Sequence, residues 1–185
     1  MVLIVNIINR ILTELNGIMA TNKQKEAVDW FIGRAKTASG YRRRLFSYNP
    51  GRERGTVVIG KMYFFEYDPK YKDVLPIYDR FPLIFPIERY KNNSMLGLNL
   101  HYLGVRERLA ILNKLKEFAS AKNLTDKSKL RLSYDLLVRT KYLASVSPCI
   151  KRYLLGHVRS DFIEITALEW DKVAELPVQM FITKS

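Results

Sequence analysis

One cysteine, Cys149, and two histidines, His101 and His157, are the only thiol and imidazole groups in 185 residues. A lone cysteine makes neither an intramolecular disulfide nor a multi-cysteine zinc site, and it fits a reducing compartment. The histidines have no neighbour at metal-ligand spacing, so each is expected to be structural. Cys149 follows Pro148, and Gly156 stands between it and His157; a buried small hydrophobe is expected there rather than a nucleophile. A glycine-rich phosphate loop, a G-x-G-x-x-G after a strand and a G-x-S-x-G elbow are all missing. The apolar opening "MVLIVNIINRIL" is too short to span a bilayer and is interrupted by Asn6 and Asn9. It also lacks the basic start and small-residue cleavage site of a signal peptide. These absences predict no catalytic residues, no metal, no cofactor, no small-molecule substrate and no membrane partner.

Acidic residues are scarce relative to basic ones. Against 31 Lys and Arg stand 18 Asp and Glu, a net charge of +13. Such an excess concentrates polyanions and supports salt-sensitive binding to phosphate backbones or acidic protein surfaces. It is not spread evenly. Arg34 to Lys61 carries eight positive residues against Glu53 alone, and Gly104 to Arg159 carries thirteen against four. The last 26 residues reverse the sign, with five acidic and two basic. The densest run supplies the candidate contacts to nucleic acid or to an acidic partner: Arg42, Arg43, Arg44, Arg52 and Arg54.

The length fits one domain, residues 1–185, with a core formed of helices around a sheet. Ile4, Ile7, Ile8, Ile11, Leu12 and Leu15 recur at helical spacing and predict a helix over residues 1–17, a docking surface for a partner protein or part of the core. "TNKQ" offers a capping box for a second helix from Asn22 to Thr37, with Ser39-Gly40 and Asn49-Pro50-Gly51 as turns. Residues 56–103 read as a small antiparallel sheet. "TVVIGKMYFFEY" gives one or two strands; "FPLIFPIERY" gives an edge or bulged strand because Pro82 and Pro86 lack donors; "KNNS" turns into "MLGLNLHYL".

Residues 104–176 read as mainly helical. Leu109, Leu112, Leu115 and Phe118 form a stripe, with Arg106, Arg108, Lys114 and Lys116 as solvent-side candidates. A helix is expected over Tyr134 to Leu143 and a short one opened by Ser147-Pro148 and closed by Gly156. "DFIEI" then gives a strand, and "TALE" a capping box for a helix ending before Pro177. The fold class is therefore α+β, a small antiparallel sheet flanked by N-terminal and C-terminal helices.

Two chemical readings of the sheet region compete with a plain core. Nine aromatics between Gly60 and Tyr90 resemble a base-stacking platform, yet Tyr63, Phe65 and Tyr67 alternate with Met62, Phe64 and Glu66. That pattern predicts two covered faces. Asp79 with Glu88 and Lys91 approximates the acidic set of a metal-dependent nuclease. The Glu-x-x-Lys spacing, however, places Lys91 on the opposite strand face from Glu88.

The blocks "WFIGRAK", "GKMYFFEYDPK", "LPIYDRFPLIFPI", "GLNLHYL" and "CIKRYLLGHVRSDFIEI" with "EWDKVAELP" resemble a family of small proteins encoded by large, T4-like tailed bacteriophages. The similarity spans Ala27 to Phe181 and departs at the more basic "FPIERYKNNSM". It implies a virion or assembly protein, placed variously with head completion, DNA-end protection or tail and baseplate functions, and no catalytic residues. Charge and resemblance together predict a non-enzymatic structural subunit of the tail, baseplate or neck, with other virion proteins as partners. Its location would be the virion, and the host cytoplasm during assembly. The alternative is a DNA-binding protein that caps or protects the packaged genome end; a metal-dependent nuclease centred on Asp79 and Glu88 is a weaker one.

Overall fold

The computed structural model describes residues 22–47, 57–75, 78–177 and 182–183, with residues 39–47 and 182–183 described by backbone alone. The expected docking helix over residues 1–17 and its apolar positions Ile4, Ile7, Ile8, Ile11, Leu12 and Leu15 lie outside the described residues. The elements run α1 (Asn22–Ser47), β1 (Met62–Phe64), β2 (Tyr78–Asp79), β3 (Leu83–Tyr90), β4 (Ser94–Asn99), α2 (Val105–Ser120) and α3 (Asp126–Thr140). After these come β5 (Ile150–Leu154), β6 (Ile163–Ile165), α4 (Trp170–Glu175) and β7 (Ile182–Thr183). The class is α+β, as expected. Five strands form one antiparallel sheet in the order β5-β4-β3-β1-β6, and β2 pairs with β7 apart from it.

The sheet reaches beyond residues 56–103, because β5 adds to β4 and β6 adds to β1. Residues 147–156 are thus not a short helix. A single 3-10 turn, Ser147–Cys149, leads directly into β5. Ser147-Pro148 does start a helical turn, but the exposed ladder of β4 then offers Ile150–Leu154 more backbone partners than a second turn would. β3 likewise departs from the simple edge reading. It pairs with β1 at Leu83 and Ile84 and with β4 along its length, and its register shifts between Pro86 and Glu88. Pro86 lies opposite Gly97 of β4 and beyond the reach of the three-residue β1, and the expected bulge follows it directly.

Both faces of the sheet are covered. Met62, Phe64, Leu83, Phe85, Ile87 and Leu98 point to a helical layer that contributes Val28 and Phe31 from α1, Leu112 and Leu115 from α2, Leu137 from α3 and Val173 from α4. On the opposite face Phe65, Tyr67, Ile84, Met95, Tyr153 and Val158 pack with Val57, Leu155 and Phe162, which belong to loops. The aromatics interlock edge to face, with Phe31 and Phe64 centroids 5.4 Å apart and Tyr67 and Tyr153 5.1 Å apart. Such pairs add about 0.5–1.5 kcal/mol each beyond area burial. Tyr63, Phe64, Phe65 and Tyr67 are all buried. They are core residues, not a platform for bases.

Helix boundaries follow local chemistry except where the core overrides it. α1 continues through Ser39-Gly40, where a turn was expected, and stops at Ser47 ahead of Asn49-Pro50. One interior glycine costs about 1 kcal/mol, and the residues that follow it, "YRRRL", are compatible with helix. α3 starts earlier than Tyr134, at Asp126, because the Thr125 side chain accepts from the Ser128 N–H at 3.2 Å. The capping box at Thr166 and Glu169 forms as expected, and α4 ends before Pro177. Arg108, placed by the helical stripe toward solvent, is instead fully buried. Among the described residues no helix is long and apolar enough to cross a membrane.

Candidate nucleic-acid interface

Arg42, Arg43 and Arg44 fall in the last turns of α1, where the backbone alone is described. Arg52 and Arg54 lie outside the described residues. What fixes the direction of α1 is its contact with α4. Trp30 Nε1 donates to Glu169 Oε1 at 3.0 Å, and Arg34 Nη2 pairs with the same oxygen. Partial burial pushes the Glu169 carboxyl up, but hydrogen bonds from Arg34 and Trp30, together with the Arg34 charge, outweigh it. The net effect holds Glu169 below its ordinary value. Helix residues advance about 1.5 Å each, so Ala38 to Ser47 spans about 13 Å of α1.

A second cationic surface, made by the hairpin tip and its neighbours, has no signature in any single segment. Lys91, Asn92 and Asn93 form the β3–β4 turn, with Asn93 at φ 57°, a conformation asparagine tolerates. The Asn93 carbonyl accepts from the Leu155 N–H at 2.9 Å and Ser94 Oγ donates to Asn92 Oδ1 at 2.6 Å, tying the tip to β5. Arg152 on β5 lies with its Cζ 4.8 Å from the Tyr90 ring centroid and donates from Nε to Ser94 Oγ at 3.2 Å. Lys141, just past α3, approaches Glu88 Oε2 at 3.9 Å. Glu88 is the one carboxylate among the described residues within ion-pair distance of Lys91, Arg139, Lys141 or Arg152. The cross-strand register, Glu88 opposite Leu96 and Leu96 opposite Arg152, puts Glu88 and Arg152 in one row, and Lys141 joins it through Glu88. The unusual basicity of "ERYKNN" was the available signal.

The acidic pair considered for metal chemistry does not converge. Asp79 is buried in a polar network: its Oδ1 accepts from the Phe81 N–H at 3.0 Å, and its Oδ2 accepts from Asn99 Nδ2 at 2.9 Å and sits 2.6 Å from His101 Nδ1. Asn99 Nδ2 also donates to the Tyr153 hydroxyl at 3.0 Å, and burial pushes that phenol well above its ordinary pKa. Glu88 on β3 is half-exposed and lies opposite Leu96, three residues along β4 from Asn99 of this network. That is roughly 10 Å of strand, with the two sites on opposite sheet faces. Among the described residues no group of three His, Cys, Asp or Glu side chains is arranged to hold a metal ion. Cys149 is buried with Sγ 3.2 Å from the Tyr102 carbonyl, and His157 Nδ1 lies 2.9 Å from the Asp68 carbonyl, so the two are separate. Burial raises the thiol, which suits a packing residue.

Fold and charge define a small α+β protein whose first helix, third helix and hairpin tip carry cations on a compact apolar core. A family model described as phage T4 terminal DNA protecting protein matches residues 2–185, and the chain belongs to that family. No curated protein and no solved structure matches. The family is a bacteriophage one, as the sequence blocks implied. Its description favours the genome-end reading of the charge over the tail, baseplate or neck subunit.

Proposed function

We propose that this chain binds the ends of linear duplex DNA and shields them from attack by occupying them. The observation that carries the reading is the match of nearly the whole chain, residues 2–185, to a family described by terminal DNA protection. The charge agrees with it: a net +13 supplies the salt-sensitive attraction to phosphate that any DNA end demands. Arg42, Arg43, Arg44, Arg52 and Arg54 are the first candidates for phosphate contact. A protein acting on a packaged genome would reside in the virion, and in the host cytoplasm during assembly.

The test is protection. A blunt linear duplex and a closed circle of equal length are challenged, respectively, with an end-dependent exonuclease and an endonuclease, with and without purified protein. Protein added in small excess over ends is expected to slow loss of the linear duplex at least tenfold and to leave endonuclease digestion of the circle unchanged. Protection that scales with total base pairs instead of ends would overturn the reading.

A further inference from the structure

We propose that the turn after α3 is the contact to the DNA terminus itself: Tyr142 stacks on the terminal base pair while Lys141, Arg152 and Lys91 hold the adjoining phosphates. The inference rests on the DNA-end function proposed above and adds the part of the molecule that distinguishes an end from continuous duplex. Tyr142 is 77% exposed and Leu143 beside it 53% exposed. The aromatics of β1 are buried, and Tyr142 is the most exposed aromatic among the described residues, ahead of Tyr71 at 60%. It is not on a loose loop, however. The Tyr142 N–H donates to the Arg139 carbonyl at 3.2 Å, the Leu143 N–H to Thr140 at 3.0 Å, and the Ser147 N–H back to Leu143 at 2.8 Å.

One cation sits at this ring, and a chain of contacts leads from it to the hairpin. Lys141 Nζ lies 5.3 Å from the Tyr142 centroid, and the same ammonium approaches Glu88 on β3. Glu88 shares a cross-strand row with Leu96 and Arg152, and Arg152 stacks on Tyr90 next to Lys91. An exposed aromatic with Lys141 at its ring, connected through Glu88 to the row that holds Arg152, meets the two chemical features of a duplex terminus together. The terminal base pair presents an unstacked π-face that continuous duplex lacks, and the last phosphates lie beside it. A protein partner is a poorer fit. The flat apolar area is one tyrosine and one leucine, which is little for a protein interface.

A blunt duplex carrying 2-aminopurine at its last base pair reports the stack directly, and an otherwise identical duplex carries the probe in its interior. Wild-type protein is expected to quench the terminal probe and leave the interior one unchanged. Tyr142→Ala should lose the quenching and bind ends roughly 5- to 150-fold more weakly, whereas Tyr142→Phe should keep both. Because the side chain is exposed, melting of Tyr142→Ala should match wild type. Lys141→Gln with Arg152→Gln should weaken end binding with less effect on quenching at saturation. If wild type protects ends but Tyr142→Ala quenches and binds like wild type, this site is wrong and the end-binding function stands. If wild type shows no preference for ends, the function and this site fall together.

Discussion

Arg108 is the residue on which the helical layer depends most directly. Its guanidinium is fully buried, donating from Nη1 to the Val173 and Leu176 carbonyls at the end of α4 and from Nη2 to Leu103 at 3.1 Å. Burial lowers its pKa to about 10, so it remains charged at neutral pH and faces the negative end of α4. Arg108→Ala is expected to cost about 3–5 kcal/mol in urea unfolding, since it strands three carbonyls and opens a cavity. A loss below about 1 kcal/mol would show that water replaces the guanidinium. The sequence did not reveal this residue. Its helical spacing placed it beside Arg106 and Lys114, and only the arrival of α4, more than sixty residues on, makes a cation preferable to an aliphatic there. Cys149 and His101 were legible because their isolation in sequence already left them little chemistry to do.

At the scale of elements, the joint between α1 and α4 positions the arginine segment, and Glu169 is its charged centre. The folded-state pKa of Glu169 is held below its ordinary 4.5, so its contribution to stability is present above that value and is lost as pH falls through the lower folded-state value. Glu169→Gln keeps an acceptor for the Thr166 cap but removes the charge. Its melting temperature should fall by about 2–4 °C at pH 7, the shift that about 1 kcal/mol makes in a domain this size. The two melting curves should converge below pH 4.5; a constant offset down to strong acid would show that shape, not charge, matters.

The elements themselves were largely readable. The hairpin of β3 and β4, the strand in "DFIEI" and the cap at Thr166 follow from alternation, turn residues and capping chemistry that act within a few positions. β5 was not readable because it is decided by a surface from elsewhere in the chain, the open ladder of β4; α1 ran past its expected end because Ser39-Gly40, read as a turn, is tolerated inside the helix. The second cationic surface was hidden for the same reason, since Arg152 meets Tyr90 through strand register and Lys141 meets Glu88 through the packing of α3 on β3.

For the whole molecule the governing quantity is where +13 of charge meets a polyanion, and salt measures it. Each phosphate neutralised on duplex DNA steepens the dependence of log affinity on log salt by about 0.9. Replacing Arg42, Arg43 and Arg44 with glutamine should therefore flatten the slope for end binding by about 2.7 if all three touch phosphate. Replacing Lys141 and Arg152 should flatten it by about 1.8 by the same reckoning. Equilibrium titrations of a blunt duplex between low and physiological salt give both numbers. Because α1 and the hairpin tip are built on separate elements, the two losses should add if both surfaces touch phosphate. Additivity would mean that one DNA end spans both surfaces at once. A slope that responds to Lys141 and Arg152 but not to the three arginines would confine the end to the hairpin side and leave the α1 arginines for an acidic protein partner. A slope indifferent to all five would remove both surfaces from the interface and direct the search to the residues before Asn22.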